Sequence, residues 1–257
     1  MNRTGLIITL VIAAVVGLAF GLYPQLDIAV ARPFHGIDYH GYPFGVRLWP
    51  DFMLVHLIAL RSVFVLLVPP IAAVVGKLLF PRRKMLISGR AALFLISTML
   101  LGPGLMVNVA LKDHWGRPRP IDIAQYGGNQ HFVAWWDPRG DCPANCSFVS
   151  GDVATAAWTV APAALAPPQW RLVAYGAAFA FTAAMAAMRI TAGGHFLTDT
   201  VFAGVFTFLL VWLVHGLLYR WRTRISDAAI EGAIARITLP VYDFLAGLFA
   251  GKREPKA

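Results

Sequence analysis

Charged side chains are scarce in this chain: Asp, Glu, Lys and Arg make up 14% of its 257 residues, against 58% hydrophobic ones. A soluble domain carries about 25% charged and about 45–50% apolar residues. The shortage therefore excludes an ordinary water-soluble globule and points to a chain embedded in lipid. Acidic residues are the rarer sign, 13 against 22 Lys and Arg, for a formal net charge of +9. In a soluble protein that balance would suggest a nucleic-acid partner. Here most of the cations flank apolar spans, where topology accounts for them, and no nucleic acid is expected. Cysteine is nearly absent. Cys142 and Cys146 are the two present, and with no His or further Cys at ligand spacing they exclude a zinc module. Their spacing, in a loop expected to face an oxidising compartment, favours a small disulfide over two free thiols. Internal repeats and low-complexity segments are also missing. No small-residue cleavage site follows the first apolar run, which reads as a membrane anchor and not as a secretory signal.

Long apolar runs are what the chain has in place of charge. A membrane span needs about 20 mostly apolar residues, and six candidates occur: Gly5–Leu22, Phe52–Leu79, Ala91–Leu111, Val153–Leu165, Leu172–Met188 and Phe196–Leu218. The fourth is short, and its span is expected to begin nearer Phe148. Arg61, inside the second, either snorkels to the interface or pairs within the bundle. The fold class that follows is all-α, a polytopic membrane protein built as a bundle of six transmembrane helices. Residues 1–224 form this one domain, and residues 225–257 follow as a cytoplasmic amphipathic tail. Within the tail, Ile230, Ile234 and Ile237 share one helical face. After Pro240, Val241, Phe244, Leu245 and Leu248 do the same. Two short helices on the leaflet would fit, as would a helix packed on the bundle or on a second copy.

Orientation follows from Lys and Arg. Lys77, Arg82, Arg83, Lys84 and Arg90 lie between spans two and three, and Arg220, Arg222 and Arg224 follow span six. With an even number of spans these fall on one side with Arg3 and Arg171, and that side should be cytoplasmic, with both termini. Trp49, Trp170 and Trp221 lie near span ends, as an interfacial belt requires. The connections 23–51, 112–150 and 189–195 then face outward.

Those outer connections carry the chemistry. The first holds Lys112-Asp-His-Trp-Gly-Arg-Pro-Arg119-Pro120, three cations with a histidine and a carboxylate where hydrocarbon would reject them. The second is Ser147-Phe-Val-Ser150-Gly151-Asp152, and the third Arg189-Ile-Thr-Ala-Gly-Gly-His195-Phe-Leu-Thr-Asp199. Phosphoryl transfer asks mainly for positioning and for charge on three equatorial oxygens. Lys112, Arg119 and Arg189 would supply that charge. Ser150 and the Gly151 amide add neutral donors, with further amides if a helix begins there. His195 and Asp199 are four apart, so on a helix both occupy one face. A carboxylate bonded to one ring nitrogen would make the other nucleophilic. His195 is thus the expected nucleophile, through a phosphohistidine, with Gly193 and Gly194 letting the backbone approach the substrate. Each motif alone is ordinary: a basic cluster after a span is usually solvated, and a His–Asp pair usually stabilises its helix. Three of them, in order and on one face, are not ordinary.

The pattern of Lys, six residues, Arg-Pro, then Ser-Gly, then Arg, five residues, His, three residues, Asp resembles the type 2 phosphatidic acid phosphatase (PAP2) superfamily. The motif segments run from Lys112 to Asp199. The resemblance implies a PAP2-like core and a metal-independent phosphomonoester hydrolase without cofactor, acting on a phosphorylated lipid. It implies His195 as nucleophile, Asp199 as its partner, and phosphate binding by Lys112, Arg119, Ser150, Gly151 and Arg189. Two positions depart from the family. Val149-Ser150-Gly151-Asp152 stands for Pro-Ser-Gly-His, and Met188 stands for the Ser before the third-patch Arg. The missing histidine is the family's acid for the leaving oxygen. Asp152 could serve only while protonated, which the three nearby cations oppose; His114, in the same outer patch, is the alternative. The surroundings Cys142-Pro-Ala-Asn-Cys146-Ser-Phe-Val-Ser-Gly and Leu111-Lys-Asp-His-Trp-Gly-Arg are similar to bacterial lipid A phosphatases. The acid at position 152 is more similar to their 4′-phosphatase branch than to the 1-phosphatase branch. Such enzymes act at the outer leaflet of the inner membrane, where this site is expected. Undecaprenyl pyrophosphate, phosphatidylglycerol phosphate and phosphatidic acid would suit the same site. A lipid-to-lipid phosphotransferase or a non-catalytic binder of anionic lipid would be built alike, though a binder has no need of His195 and Asp199.

Overall fold

A computed structural model describes residues 1–221 and 225–250. Arg222 and Arg224, which the charge reading uses, lie outside the described residues, as do residues 251–257 of the tail. Among the described residues the regular structure is helical. Helix α1 (Arg3–Leu22) begins at Asn2, whose Oδ1 accepts from Gly5 N at 3.0 Å, a side-chain cap for a free amide. A second helix, α2 (Gln25–His35), follows within the first outer connection. The expected second span is two helices, α3 (Pro50–Val65) and α4 (Val68–Leu79), parted just ahead of Pro69 and Pro70, which cannot donate to the preceding turn. Helix α5 (Gly89–Leu111) widens to π winding from Leu100 onward, with Pro103 inside. Asn108 Nδ2 donates to the Pro103 carbonyl at 2.7 Å.

The fourth expected span is the pair α6 (Gly151–Ala157) and α7 (Val160–Leu165), of seven and six residues. Helices α8 (Pro168–Thr191) and α9 (Leu197–Arg220) complete the spans. Among the described residues five stretches are long and apolar enough to cross a membrane: α1, α3 with α4, α5, α8 and α9. The α6–α7 pair falls short of that length and starts at Gly151, three residues beyond Phe148. It lies among α3, α5 and α8, with Val153, Ala154, Ala156 and Trp158 wholly buried. Small alanines let those neighbours approach it, as interfaces between membrane helices require.

The chain divides into two compact units, Met1–Val65 with Thr98–Val214, and Leu66–Ser97 with His215–Ala257. The first contains every candidate site residue. Its core gathers Val107, Phe148, Val153, Met185 and Phe202, with Trp135 stacked on Phe202 at 4.3 Å and Trp115 on Phe148 at 4.9 Å. A smaller cluster of Ile28, Phe44, Ile123, Tyr126 and Phe196 lies under the outer loops. Arg61 is exposed on α3 and makes no bond among the described residues, so snorkelling is the reading that the structure leaves. The second unit contains α10 (Asp227–Ala250), which packs along α4. Here the chain departs from two tail helices parted at Pro240, because α10 runs through the proline. Ion pairs hold it on both sides of that residue, Lys77–Glu231 at 3.4 Å before and Arg82–Asp243 at 3.0 Å after. Ile237, Val241 and Phe244 stay exposed on its outer side.

Candidate active site

Backbone hydrogen bonds bring the three charged patches together. Cys146 N donates to the Lys112 carbonyl at 3.0 Å and Ser147 N to that of Arg117 at 2.8 Å, joining the first patch to the second. Ile121 N donates to the Gly193 carbonyl at 3.2 Å, and Ser150 N to that of Asp199 at 3.2 Å, tying in the third. Cys142 and Cys146 are joined, with Cα atoms 5.7 Å apart, and the loop they close contains Asn145. Asn145 Oδ1 accepts from Lys112 Nζ at 3.0 Å, and its carbonyl accepts from Arg119 Nη2 at 2.8 Å. Two of the three expected phosphate cations thus rest on one residue that spacing alone does not reveal.

His195 is buried, at 1% exposure, and its Nδ1 donates to the Ser147 carbonyl at 2.7 Å. That contact puts the proton on Nδ1 and leaves Nε2 with its lone pair. Burial holds the ring well below the usual imidazole range, and Arg189, Arg119 and Lys112 push the same way. The same three cations therefore surround the histidine, and it stays neutral among them. Burial and the mutual repulsion of these cations also lower Lys112 and Arg119 from their ordinary values.

The expected direct bond between Asp199 and His195 is absent. His195 and Phe196 precede the first turn of α9, so the four-residue helical spacing does not apply to them. Asp199 instead reaches back to Phe196 N at 2.8 Å, as the third residue of a capping box does. Its Oδ2 also accepts from Ser147 Oγ at 2.5 Å. Carboxylate and imidazole meet through Ser147, whose hydroxyl binds one and whose carbonyl binds the other. The remaining oxygen, Oδ1, accepts from Arg117 Nη1 at 2.5 Å. Arg117 is wholly buried; it pairs with Asp27 of α2 at 2.8 Å and donates to the Val133 carbonyl at 3.1 Å. It also faces the Phe196 ring at 4.5 Å. With every arm engaged, this third cation of the first patch is structural, while Lys112 and Arg119 remain part-exposed.

Ser150 caps α6 by accepting from Val153 N at 3.4 Å. The Cβ of a residue larger than Gly151 would stand 2.6 Å from Asn108 Oδ1 and 3.4 Å from Lys112 Nζ; at Gly194 it would stand 2.5 Å from Arg189 Nη2. Both glycines therefore make room for cations, and Gly194 serves Arg189 more directly than it serves the substrate. Asp152, the expected acid, is an acceptor here. Its Oδ2 lies 3.1 Å from Arg189 Nε and 3.1 Å from Nε2 of His56 on α3. No sequence signal marks His56, which is 96 residues from its partner. His114 is exposed and spends Nδ1 on the Ala110 carbonyl at 3.1 Å. Among the described residues no group of three or more His, Cys, Asp or Glu side chains is placed to hold a metal ion.

A family model described as the PAP2 superfamily matches residues 91–223. The chain belongs to that superfamily. The PAP2 match covers all three patches, and relatives extend the likeness. The chain is 35% identical over 222 residues, 86% of its length and 98% of the relative's, to a lipid A 4′-phosphatase of Francisella tularensis subsp. novicida (strain U112). It is 42% identical over 106 residues to a lipid A 4′-phosphatase of Rhizobium leguminosarum, covering 41% of this chain and 46% of that relative. No solved structure matches it significantly.

Proposed function

We propose that this PAP2 protein is a lipid A 4′-phosphatase of the inner membrane, with the site facing the periplasm and both termini in the cytoplasm. The observation that carries the chemistry is His195, held neutral with Nδ1 on the Ser147 carbonyl and ringed by Lys112, Arg119 and Arg189. A free Nε2 among three cations suits attack on a phosphate dianion that those cations hold. Nε2 forms a bond to phosphorus, the ester P–O bond breaks, and its electron pair stays on the sugar oxygen, which takes up a proton. Water then attacks the phosphohistidine, its proton leaves, the P–N electron pair returns to Nε2, and orthophosphate departs. Asp199 steadies the arrangement through Ser147, while Ser150 and the Gly151 amide supply neutral contacts to the phosphate.

The substrate class rests on the relatives' activity and on an apolar cavity of about 550 Å³. Val153, Ile190 and Leu197 line it, each one or two residues from Asp152, Arg189 or His195, with Ile12 and Phe208 beyond. Such an apolar slot suits an acyl chain whose phosphate is held in the site. The test is phosphate release by the purified protein in detergent, with chelator present. Lipid A, undecaprenyl pyrophosphate, phosphatidylglycerol phosphate and phosphatidic acid would be compared. Release is expected from lipid A at the 4′ position, and none from the His195→Ala variant. Activity confined to another lipid would overturn the substrate, full activity of the variant would overturn the nucleophile, and label passing to a second lipid would mark a phosphotransferase.

A further inference from the structure

The mechanism above leaves one proton without a donor. PAP2 resemblance puts a histidine at position 152 for that purpose, and this chain has Asp152. Its carboxylate accepts from His56 Nε2 at 3.1 Å on one side and forms an ion pair with Arg189, Nε at 3.1 Å, on the other. An oxygen bonded to His56 and ion-paired with Arg189 is well placed to orient an imidazole. Carboxylate on one ring nitrogen stabilises the imidazolium and leaves the second nitrogen to exchange protons. Nδ1 of His56 makes no hydrogen bond among the described residues, and the side chain is 24% exposed. The ring is therefore held at one end and accessible at the other.

His56 shares a space with one of the proposed phosphate cations, Arg189. A cavity of about 400 Å³ is lined by His56, Leu57 and Arg47 on one side and by Arg189 and Ala192 on the other. A phosphate held by Arg189 would present its ester oxygen within that cavity. His56 comes from α3, before the PAP2 match begins at residue 91, so the family motifs give no hint of it.

We propose that His56, oriented by Asp152, is the acid that protonates the leaving oxygen and the base that then activates water. As the ester P–O bond breaks, the alkoxide takes the proton from Nδ1 of the His56 imidazolium, leaving a neutral ring and phosphorylated His195. That neutral Nδ1 next accepts a proton from the attacking water, and the imidazolium is restored as orthophosphate forms. Asp152 acts through His56 and is a positioning residue. The histidine that the family has at position 152 is supplied here by a neighbouring helix.

This inference rests on His195 being the nucleophile of a phosphatase, and leaving-group dependence separates the two. The full-length protein in detergent would be given lipid A, phosphatidic acid and an alkyl-chain 4-nitrophenyl phosphate, whose leaving group needs no proton. His56→Gln keeps a donor toward Asp152 but cannot ionise. Its expected loss is about a hundredfold on the sugar or glycerol phosphate that the wild type hydrolyses, with less than about a threefold change on the nitrophenyl ester. The double variant His56→Gln with Asp152→His should regain much of the lost activity, which a purely structural role would not allow. Equal loss on both leaving groups without rescue, or no loss on either, would overturn His56 as the acid. His195→Ala should lose both substrates; if it lost neither, His195 as the nucleophile, on which this inference rests, would fall.

Discussion

Ser147 carries two contacts that the sequence reading gave to a direct His–Asp pair. Its carbonyl fixes His195 and its hydroxyl binds Asp199, so the carboxylate orients the proposed nucleophile at one remove. A helix starting at Leu197 could not hold His195 on its face, and the residue between them had to come from another patch. Gly194 shows the same economy, since its missing side chain is filled by the Arg189 guanidinium, 2.5 Å from where a Cβ would stand. Gly194→Ala is expected to displace Arg189 while leaving the spans intact. The kcat/KM for phosphate release should fall about tenfold or more, a loss of about 1.4 kcal/mol of transition-state binding. Steady-state kinetics beside an unchanged circular dichroism spectrum would check it, and a wild-type rate would mean that Arg189 does not hold the phosphate.

At the scale of elements, the start of α9 is pinned to α2 by buried charge. Arg117 bridges Asp27 and Asp199, and Asp27 also accepts from Thr198 N at 3.1 Å and from Thr198 Oγ1 at 2.6 Å. Removing one partner from a buried ion network typically costs about 3–5 kcal/mol, because the others stay buried without compensation. Arg117→Leu strands two carboxylates and should lower the apparent Tm in detergent by several degrees, with loss of activity as His195 loosens. Arg139→Leu, which breaks the exposed pair with Asp137, should leave Tm unchanged and serves as the control. An equal Tm for the two variants would mean that the α2–α9 link is not what holds the site.

For the molecule as a whole, the stability of a buried neutral histidine depends on pH. Unfolded, His195 titrates near the ordinary imidazole value of 6.5, while in the folded protein burial and three cations hold it well below that. Below pH 6.5 the unfolded chain therefore takes up a proton that the folded one refuses, so stability rises with pH across this window. The contribution is fully present above pH 6.5 and is lost as pH falls toward the folded value. Wild type should accordingly lose more apparent Tm between pH 7.5 and 5.5 than His195→Gln, in which nothing titrates at that position. A steeper loss in the variant would mean that His195 is charged in the folded protein.

The apolar spans, the cationic patches and the candidacy of His195 were legible because each is a local property of the chain. Hydropathy adds up residue by residue along a helix, and hydrocarbon excludes charge wherever the fold places it. The short fourth span was legible only in part. Its shortness was read as a span beginning nearer Phe148, and only packing against α3, α5 and α8 shows that it is a buried pair of short helices. Three assignments belong to the tertiary structure alone: Ser147 between His195 and Asp199, Arg117 as an anchor apart from the phosphate cations, and His56 on Asp152. Each depends on which side chains packing brings within about 3 Å, a hydrogen-bond distance. Those partners lie 48, 90 and 96 residues apart in the chain, beyond the reach of any helical period. Composition and pattern thus determined a membrane protein with a cationic outer site around His195, and packing decided which neighbours orient that histidine and which stand by to exchange a proton in the proposed reaction.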